Sequence, residues 1–142
     1  MKIFDCFMYF DEEMILDLRL NILNTYVDYF VIVESKYNHK GERRKLLFNK
    51  EKFSNFKDKI IYLIYDEIPL KVEKINLDDN EETKDTKYIM NALYRENGQR
   101  NYIEKGLVNA KENDFILISD TFLISPIVVF SLKNGDGFLS KL

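Results

Sequence analysis

The sequence has one cysteine, one histidine, no tryptophan, two prolines and five glycines in 142 residues, and each scarcity removes a class of protein. A single thiol, Cys6, forms no internal disulfide. With His39 as the lone imidazole there are too few soft ligands for a structural zinc site. Sparse glycine and proline beside 46% hydrophobic residues exclude a disordered chain and leave room for one ordinary core, hence one domain. No sign of charge dominates: 21 Lys and Arg against 24 Asp and Glu give a formal net charge of -3, too little field to wrap nucleic acid or coat an anionic membrane. No apolar run reaches the roughly 20 residues that span a bilayer, and Asp5 interrupts the N-terminus before a signal-like apolar region develops. Gly-x-Gly-x-x-Gly, P-loop and nucleophile-elbow patterns are missing, which disfavours classical dinucleotide, NTP and serine-hydrolase chemistry. The expectation is a soluble, cytoplasmic protein that meets any charged partner locally.

What is present reads as strands alternating with helices. Residues 2–10 are dense in aromatic and apolar side chains without helical spacing, and they stop at Asp11-Glu12-Glu13, where a helix N-terminus welcomes negative charge. In the helix that follows, Met14, Ile15, Leu18, Ile22 and Leu23 recur at helical intervals, which puts Asp17, Arg19 and Asn21 elsewhere. Residues 26–33 form a nearly continuous β-branched and aromatic run, the mark of a strand covered on both faces. Residues 34–59 hold nine Lys or Arg against four acids and read as a loop to about Arg44, then a short helix near 49–56. A third strand follows at 59–65. Residues 66–85, with eight acids against three lysines, read as an exposed excursion. A long helix is expected over 86–111 and a fourth strand over 114–119. Strands separated by helices at these distances predict an α/β fold with a mostly parallel sheet flanked by helices.

Two features do not fit a purely structural reading. The stripe of the long helix runs Ile89, Leu93, Glu96, Arg100, Ile103, Leu107, so an acid and a base interrupt it. In one reading Glu96 and Arg100 are an i,i+4 ion pair at the edge of the core. In the other, this part of the helix faces a crevice, where Arg95, Gln99 and Arg100 donate to an anionic ligand whose phosphate oxygens match the guanidinium fork. The second feature lies at the strand ends, which carry Glu34-Ser35, Asp66-Glu67 and Ser119-Asp120. In open parallel sheets ligands collect there. Such groups bind ribose hydroxyls, a base, or a divalent metal through oxygen. The cluster Arg43-Arg44-Lys45 is a solvated patch in one reading and a holder of a diphosphate in another. His39 reads as a loop residue and Cys6 as core.

Several motifs in order carry a resemblance. Ile3-Phe4-Asp5-Cys6-Phe7-Met8-Tyr9-Phe10 leads through Asp11-Glu12 into a Leu-Arg-Leu helix; Val27-Asp28-Tyr29-Phe30-Val31-Ile32-Val33-Glu34-Ser35 follows. Then come Tyr94-Arg95-Glu96-Asn97-Gly98-Gln99-Arg100-Asn101, Gly106-Leu107, and Asp114-Phe115-Ile116-Leu117-Ile118-Ser119-Asp120. Together they closely resemble glycosyltransferase family 17, which includes the β-1,4-mannosyl-glycoprotein β-1,4-N-acetylglucosaminyltransferases. The resemblance implies a GT-A-like (Rossmann-like) fold, transfer of N-acetylglucosamine or a related sugar from a UDP-sugar (UDP-GlcNAc) to a glycan acceptor, and a divalent cation, Mn or Mg, at an acidic motif. It implies that Glu34 and Ser35 lie near the nucleotide, that Arg95, Gln99, Arg100 and Asn101 lie beside the donor, and that Asp120 opens the acidic motif as catalytic and metal residue. It divides the chain into a nucleotide-sugar-binding region, 1–120, and a divergent tail, 121–142, packed on the same domain.

One departure bears on activity. Where the family continues Asp-x-Asp-Glu-Ile-Pro, this chain reads Asp120-Thr121-Phe122-Leu123-Ile124-Ser125-Pro126, so two of three acids are absent. A hard cation needs several oxygen ligands, and one carboxylate holds it weakly. The family's acceptor-binding half would follow the last residue here, so the chain is expected to be a truncated N-terminal half. The tail, with Ile127-Val128-Val129-Phe130 and Asn134-Gly135-Asp136-Gly137, is expected to add a strand and turn. The competing expectation is a non-catalytic nucleotide-sugar-binding or assembly module that self-associates through an exposed sheet edge.

Overall fold

The computed structural model describes residues 1–121 and the strand at 128–131. Four parallel strands, β1 (Ile3–Tyr9), β2 (Tyr29–Ser35), β3 (Ile60–Tyr65) and β4 (Phe115–Asp120), form the sheet, with a short β5 (Val128–Ser131) antiparallel to β4. The spatial order is β3-β2-β1-β4-β5. The chain steps outward from β1 to β2 to β3, then crosses back over the sheet to β4, so its direction of winding reverses between β1 and β4. The expected α/β fold with a mostly parallel sheet flanked by helices is present.

Alternation along each strand divides the core. Phe4, Cys6, Val31, Val33, Ile116 and Ile118 face one side, with Tyr65, Ile103 and Leu107. Phe7, Tyr9, Phe30 and Ile32 face the other, with Leu16 and Leu20 of helix α1 (Glu13–Leu23) and Phe53. Both faces are covered, which is why these strands are apolar without a polar side. Burying a Leu or Phe on such a face contributes about 1.5–3 kcal/mol relative to leaving it exposed.

The two helices differ from the periodicity argument. In α1 the buried residues are Leu16, Arg19 and Leu20, whereas Met14, Leu18 and Ile22 are exposed. The helix is apolar around much of its circumference, so spacing alone does not select the inward face. The selection comes from the sheet, where buried Asp5 draws Arg19 inward. Helix α2 (Glu81–Asn101) starts five residues earlier than expected, because Asn80 caps it by accepting from Thr83 N at 2.8 Å and Glu81 and Glu82 occupy its first turn. Ile89 and Leu93 on its expected apolar stripe are exposed, and the helix buries only Asn91. Asn91 exchanges hydrogen bonds with the backbone N–H and C=O of Glu73, at 2.8 and 2.7 Å. Ile103 and Leu107 are buried because a 3-10 turn, Tyr102–Gly106, replaces the α-helix and redirects them onto the sheet.

Close packing of α2 on the sheet requires Gly98. A Cβ there would collide with the hydroxyl of Tyr65 at the end of β3. The expected helix near 49–56 is instead a turn, in which Asn49 Oδ1 accepts from Glu51 N and Lys52 N, followed by one 3-10 turn, Ser54–Phe56. Among the described residues no helix is long and apolar enough to cross a membrane.

Candidate functional site

At the carboxyl ends of β1, β2 and β4 lies a cleft of about 270 Å³, lined by residues that include Phe10, Ser35, His39, Arg95, Gln99 and Asp120. It sits where the winding reverses, the position at which open α/β sheets leave a crevice between diverging connections. Its floor is strand ends, one wall is α2, and the opposite rim is the strap that follows β2.

The strap is held by a buried carboxylate. Glu34, at 0% exposure, accepts from Leu47 N at 2.7 Å, Phe48 N at 3.1 Å, the Tyr62 hydroxyl at 2.7 Å and Arg44 Nη1 at 3.3 Å. Four donors on its two oxygens satisfy the buried carboxyl group. Burial and this bond push the Tyr62 phenol well above its usual range, and burial near Glu34 pushes Tyr9 up to about 12. Glu34 is thus spent on the strap and does not line the cleft, whereas its neighbour Ser35 does. Arg44 is likewise structural: Nη1 also donates to Ser35 O at 3.0 Å, Nη2 donates to Phe10 O, and the guanidinium lies 3.9 Å from the centroid of the Phe10 ring. The basic cluster therefore divides, because Arg43 is exposed, pairs with Asp66 at 3.5 Å and stacks on Tyr37.

At the tip, Gly41 has φ 86°, the left-handed region that side chains rarely adopt. Its bare backbone also receives the Arg95 guanidinium, whose Nη2 would lie 2.5 Å from a Cβ at this position. Arg95 Nη1 donates to His39 O at 2.9 Å. The His39 ring stacks on Phe10, centroids 6.2 Å apart. Together these contacts shape an aromatic and cationic rim.

From α2, Gln99 Nε2 donates to Val33 O at 2.8 Å, which ties the helix to the floor. Arg100 Nη2 lies 2.9 Å from Glu96 Oε1 and 3.4 Å from Asp120 Oδ1. The i,i+4 pair of the first reading forms, and Glu96 of that pair lines the cleft. Asn101 is exposed and not among the lining residues. Among the described residues no group of three or more His, Cys, Asp or Glu is arranged to hold a metal ion; the cation nearest the Asp120 carboxylate is Arg100. Phe122 and Leu123, where the family pattern has acids, lie outside the described residues, as do Ile127 and Asn134 to Gly137; Val128 to Phe130 fall in β5.

The loop N–H groups that precede helix α1, on Phe10 and Asp11, donate to the Glu12 carboxylate at 3.1 and 3.2 Å.

The sequence reading missed Arg19 and Asp5. Asp5 Oδ2 accepts from Arg19 Nε at 2.8 Å and Oδ1 from Nη2 at 2.6 Å, both residues 1% exposed. Arg19 also donates to Ser119 Oγ at 2.6 Å and to the carbonyls of Asp120 and Thr121 at 3.2 and 3.3 Å. The available signal was an acid inside an otherwise apolar strand, which requires a buried partner.

The fold and cleft define an α/β protein with a cleft at the reversal of a parallel sheet. Its sequence matches the family model described as Glycosyltransferase family 17 over residues 1–138, and the chain belongs to that family. A glycosyltransferase-like function follows, with a sugar donor and a glycan acceptor as the class of partners. No curated protein and no solved structure matches the chain.

Proposed function

We propose that the cleft at the β1/β4 reversal binds a UDP-sugar, with N-acetylglucosamine or a related sugar as the group passed to a glycan hydroxyl, and that the architecture is GT-A-like. The carrying observation is the convergence of Arg95, Gln99 and Asp120 on one cleft, with Arg100 beside it. In this reading Arg95 and Arg100 face the diphosphate, Ser35 and the Phe10–His39 rim face the nucleoside, and Asp120 faces ribose or sugar hydroxyls. The acceptor hydroxyl oxygen attacks the anomeric carbon as the bond to the diphosphate breaks, UDP departs, and the hydroxyl proton passes to water or to the departing phosphate. Guanidinium groups stabilise the negative charge that develops on the departing phosphate oxygens. No step is assigned to a divalent cation: Asp120 supplies one carboxylate, and the side chains of Phe122 and Leu123 carry no oxygen.

The replaced acids favour a second reading, a nucleotide-sugar-binding protein without turnover. Calorimetric titration with UDP-GlcNAc, UDP and UMP tests binding, and release of UDP in the presence of a mannosyl glycan tests turnover. UDP-GlcNAc and UDP are expected to bind more tightly than UMP. No saturable binding of either at millimolar concentration would overturn the proposal, and binding without UDP release selects the second reading.

A further inference from the structure

We infer that Arg19 is a positioning residue for Asp120. This deepens the proposed function, because Asp120 matters to the donor only if that reading holds. The inference begins where the sheet ends. Among the described residues, pairing of β4 with β5 reaches Ile118 and pairing with β1 reaches Asp120. Beyond that point the carbonyls of Asp120 and Thr121 need donors from elsewhere, since a strand end buried without partners is costly. Arg19 supplies them with Nη1, from the face covered by α1. On the same face its Nη2 grips Ser119 Oγ, while Thr121 Oγ1 donates to Met8 O of β1. Residues 119 and 121 are therefore held down, and by alternation Asp120 between them projects to the opposite face, where Arg100 meets its carboxylate.

Stability alone does not account for such an arrangement. Replacing a buried ion pair by apolar groups of similar volume is often neutral or stabilising. A Leu and Met pair would fill the space of Asp5 and Arg19, but neither donates to two consecutive carbonyls. What the guanidinium adds is direction: Nε and Nη2 are held on Asp5, which orients Nη1 toward the carbonyls at the end of β4. Removing Arg19 alone would leave Asp5 as an uncompensated buried charge, so the informative variant replaces both.

The test compares Asp5→Leu/Arg19→Met with the unaltered chain by three measurements: melting temperature, backbone carbonyl 13C shifts of Asp120 and Thr121, and affinity for UDP-GlcNAc. The double variant is expected to fold and to melt below the unaltered chain, by less than Arg19→Met alone because no buried charge is left unpaired, to show displaced shifts at both carbonyls, and to bind about tenfold to a hundredfold more weakly, the range for groups that orient a ligand-contacting residue. Adding Asp120→Asn to it should cost clearly less than Asp120→Asn costs in the unaltered chain, since both act through one carboxylate. Unchanged carbonyl shifts, or losses that add in full, would overturn the inference. If the double variant does not fold, Arg19→Lys gives the same readouts, because one ammonium cannot span the Asp5 carboxylate and both carbonyls. If the unaltered chain does not bind UDP-GlcNAc, the proposed function fails, and the carbonyl shifts alone decide the clamp.

Discussion

Arg19 and Arg100 reach the end of β4 from opposite faces of the sheet. Arg19, on α1, is 1% exposed and forks onto Asp5, which is equally buried. Arg100, on α2, is 29% exposed and shares one nitrogen between Glu96 at 2.9 Å and Asp120 at 3.4 Å, the latter 53% exposed. The same side chain meets the same strand, but the dielectric differs. In the dry interior a guanidinium must be matched donor by donor, so its position is dictated and it holds backbone. At the cleft, water shares the solvation, both pairs are screened and the one to Asp120 is long, so that under the proposed function the cation exchanges Asp120 for the ligand at little cost.

The largest expected effect breaks the buried side of this comparison. Arg19→Met alone leaves Asp5 unpaired and should destabilise the fold by about 3–5 kcal/mol, measured by urea unfolding. An effect below about 1 kcal/mol, the scale of exposed pairs, would erase the distinction.

The exposed side should show the reverse pattern. Arg100→Ala is expected to change stability by no more than about 0.5 kcal/mol, yet to weaken UDP-sugar binding by about 1.5–3 kcal/mol, the scale of a hydrogen bond to a charged group. Calorimetry and thermal melting on one preparation separate the two quantities. A collapse in melting temperature with affinity intact would make Arg100 as structural as Arg19.

Arg95 stands between these extremes, since it lines the cleft but rests on Gly41. Gly41→Ala forces a side chain into a left-handed backbone and against the guanidinium, so about 1–2 kcal/mol of stability should be lost, with a parallel loss of UDP affinity. Affinity that survives this change would mean that Arg95 does not touch the ligand.

A pH experiment extends the comparison to the other end of β4. Asp114 accepts from Lys111 N at 2.9 Å and Lys2 N at 2.7 Å, and these bonds hold its pKa below the usual 3.8. A lowered folded-state pKa contributes stability that is present above the unfolded value and lost as pH falls through the folded one. Asp114→Asn should therefore lower the melting temperature in the neutral range, where the charged form contributes, and flatten its decline below about pH 4. An equally steep acid decline in the variant would assign that slope to other carboxylates.

The smallest effect concerns the sequence departure. Phe122→Asp with Leu123→Glu supplies two carboxylates near Asp120 in sequence, and should raise Mn2+ affinity measured by electron paramagnetic resonance with UDP present. Tight Mn2+ binding by the unaltered chain would show that Asp120 finds oxygen partners elsewhere.

Much of the fold was legible because β-sheet burial writes itself into composition. Runs such as Phe30-Val31-Ile32-Val33 and Phe115-Ile116-Leu117-Ile118 announce strands covered on both faces, and their spacing implied helical crossovers. The helices were less legible. Met14 and Ile89 satisfied an apolar stripe and are exposed, while Arg19 and Asn91 violated it and are buried, because their partners are Asp5 and the Glu73 backbone, distant in sequence. Of the candidate site, Ser35, Arg95, Gln99 and Asp120 meet at the cleft; Glu34 lies under the strap and Asn101 lies outside the lining.

By itself the sequence determined the α/β class, the order of strands along the chain and the motifs that carry family membership, since these depend on local burial and on residue order. Tertiary structure alone decided that β1 and β4 are neighbours, that Glu34 and Arg44 serve the strap, and that Arg19 rather than Leu18 faces the sheet. The reason is physical: a charged group is buried or exposed according to the partner it meets, and Arg19 meets Asp5 and the end of β4 only after the crossover brings residues 14 to 102 positions apart into contact.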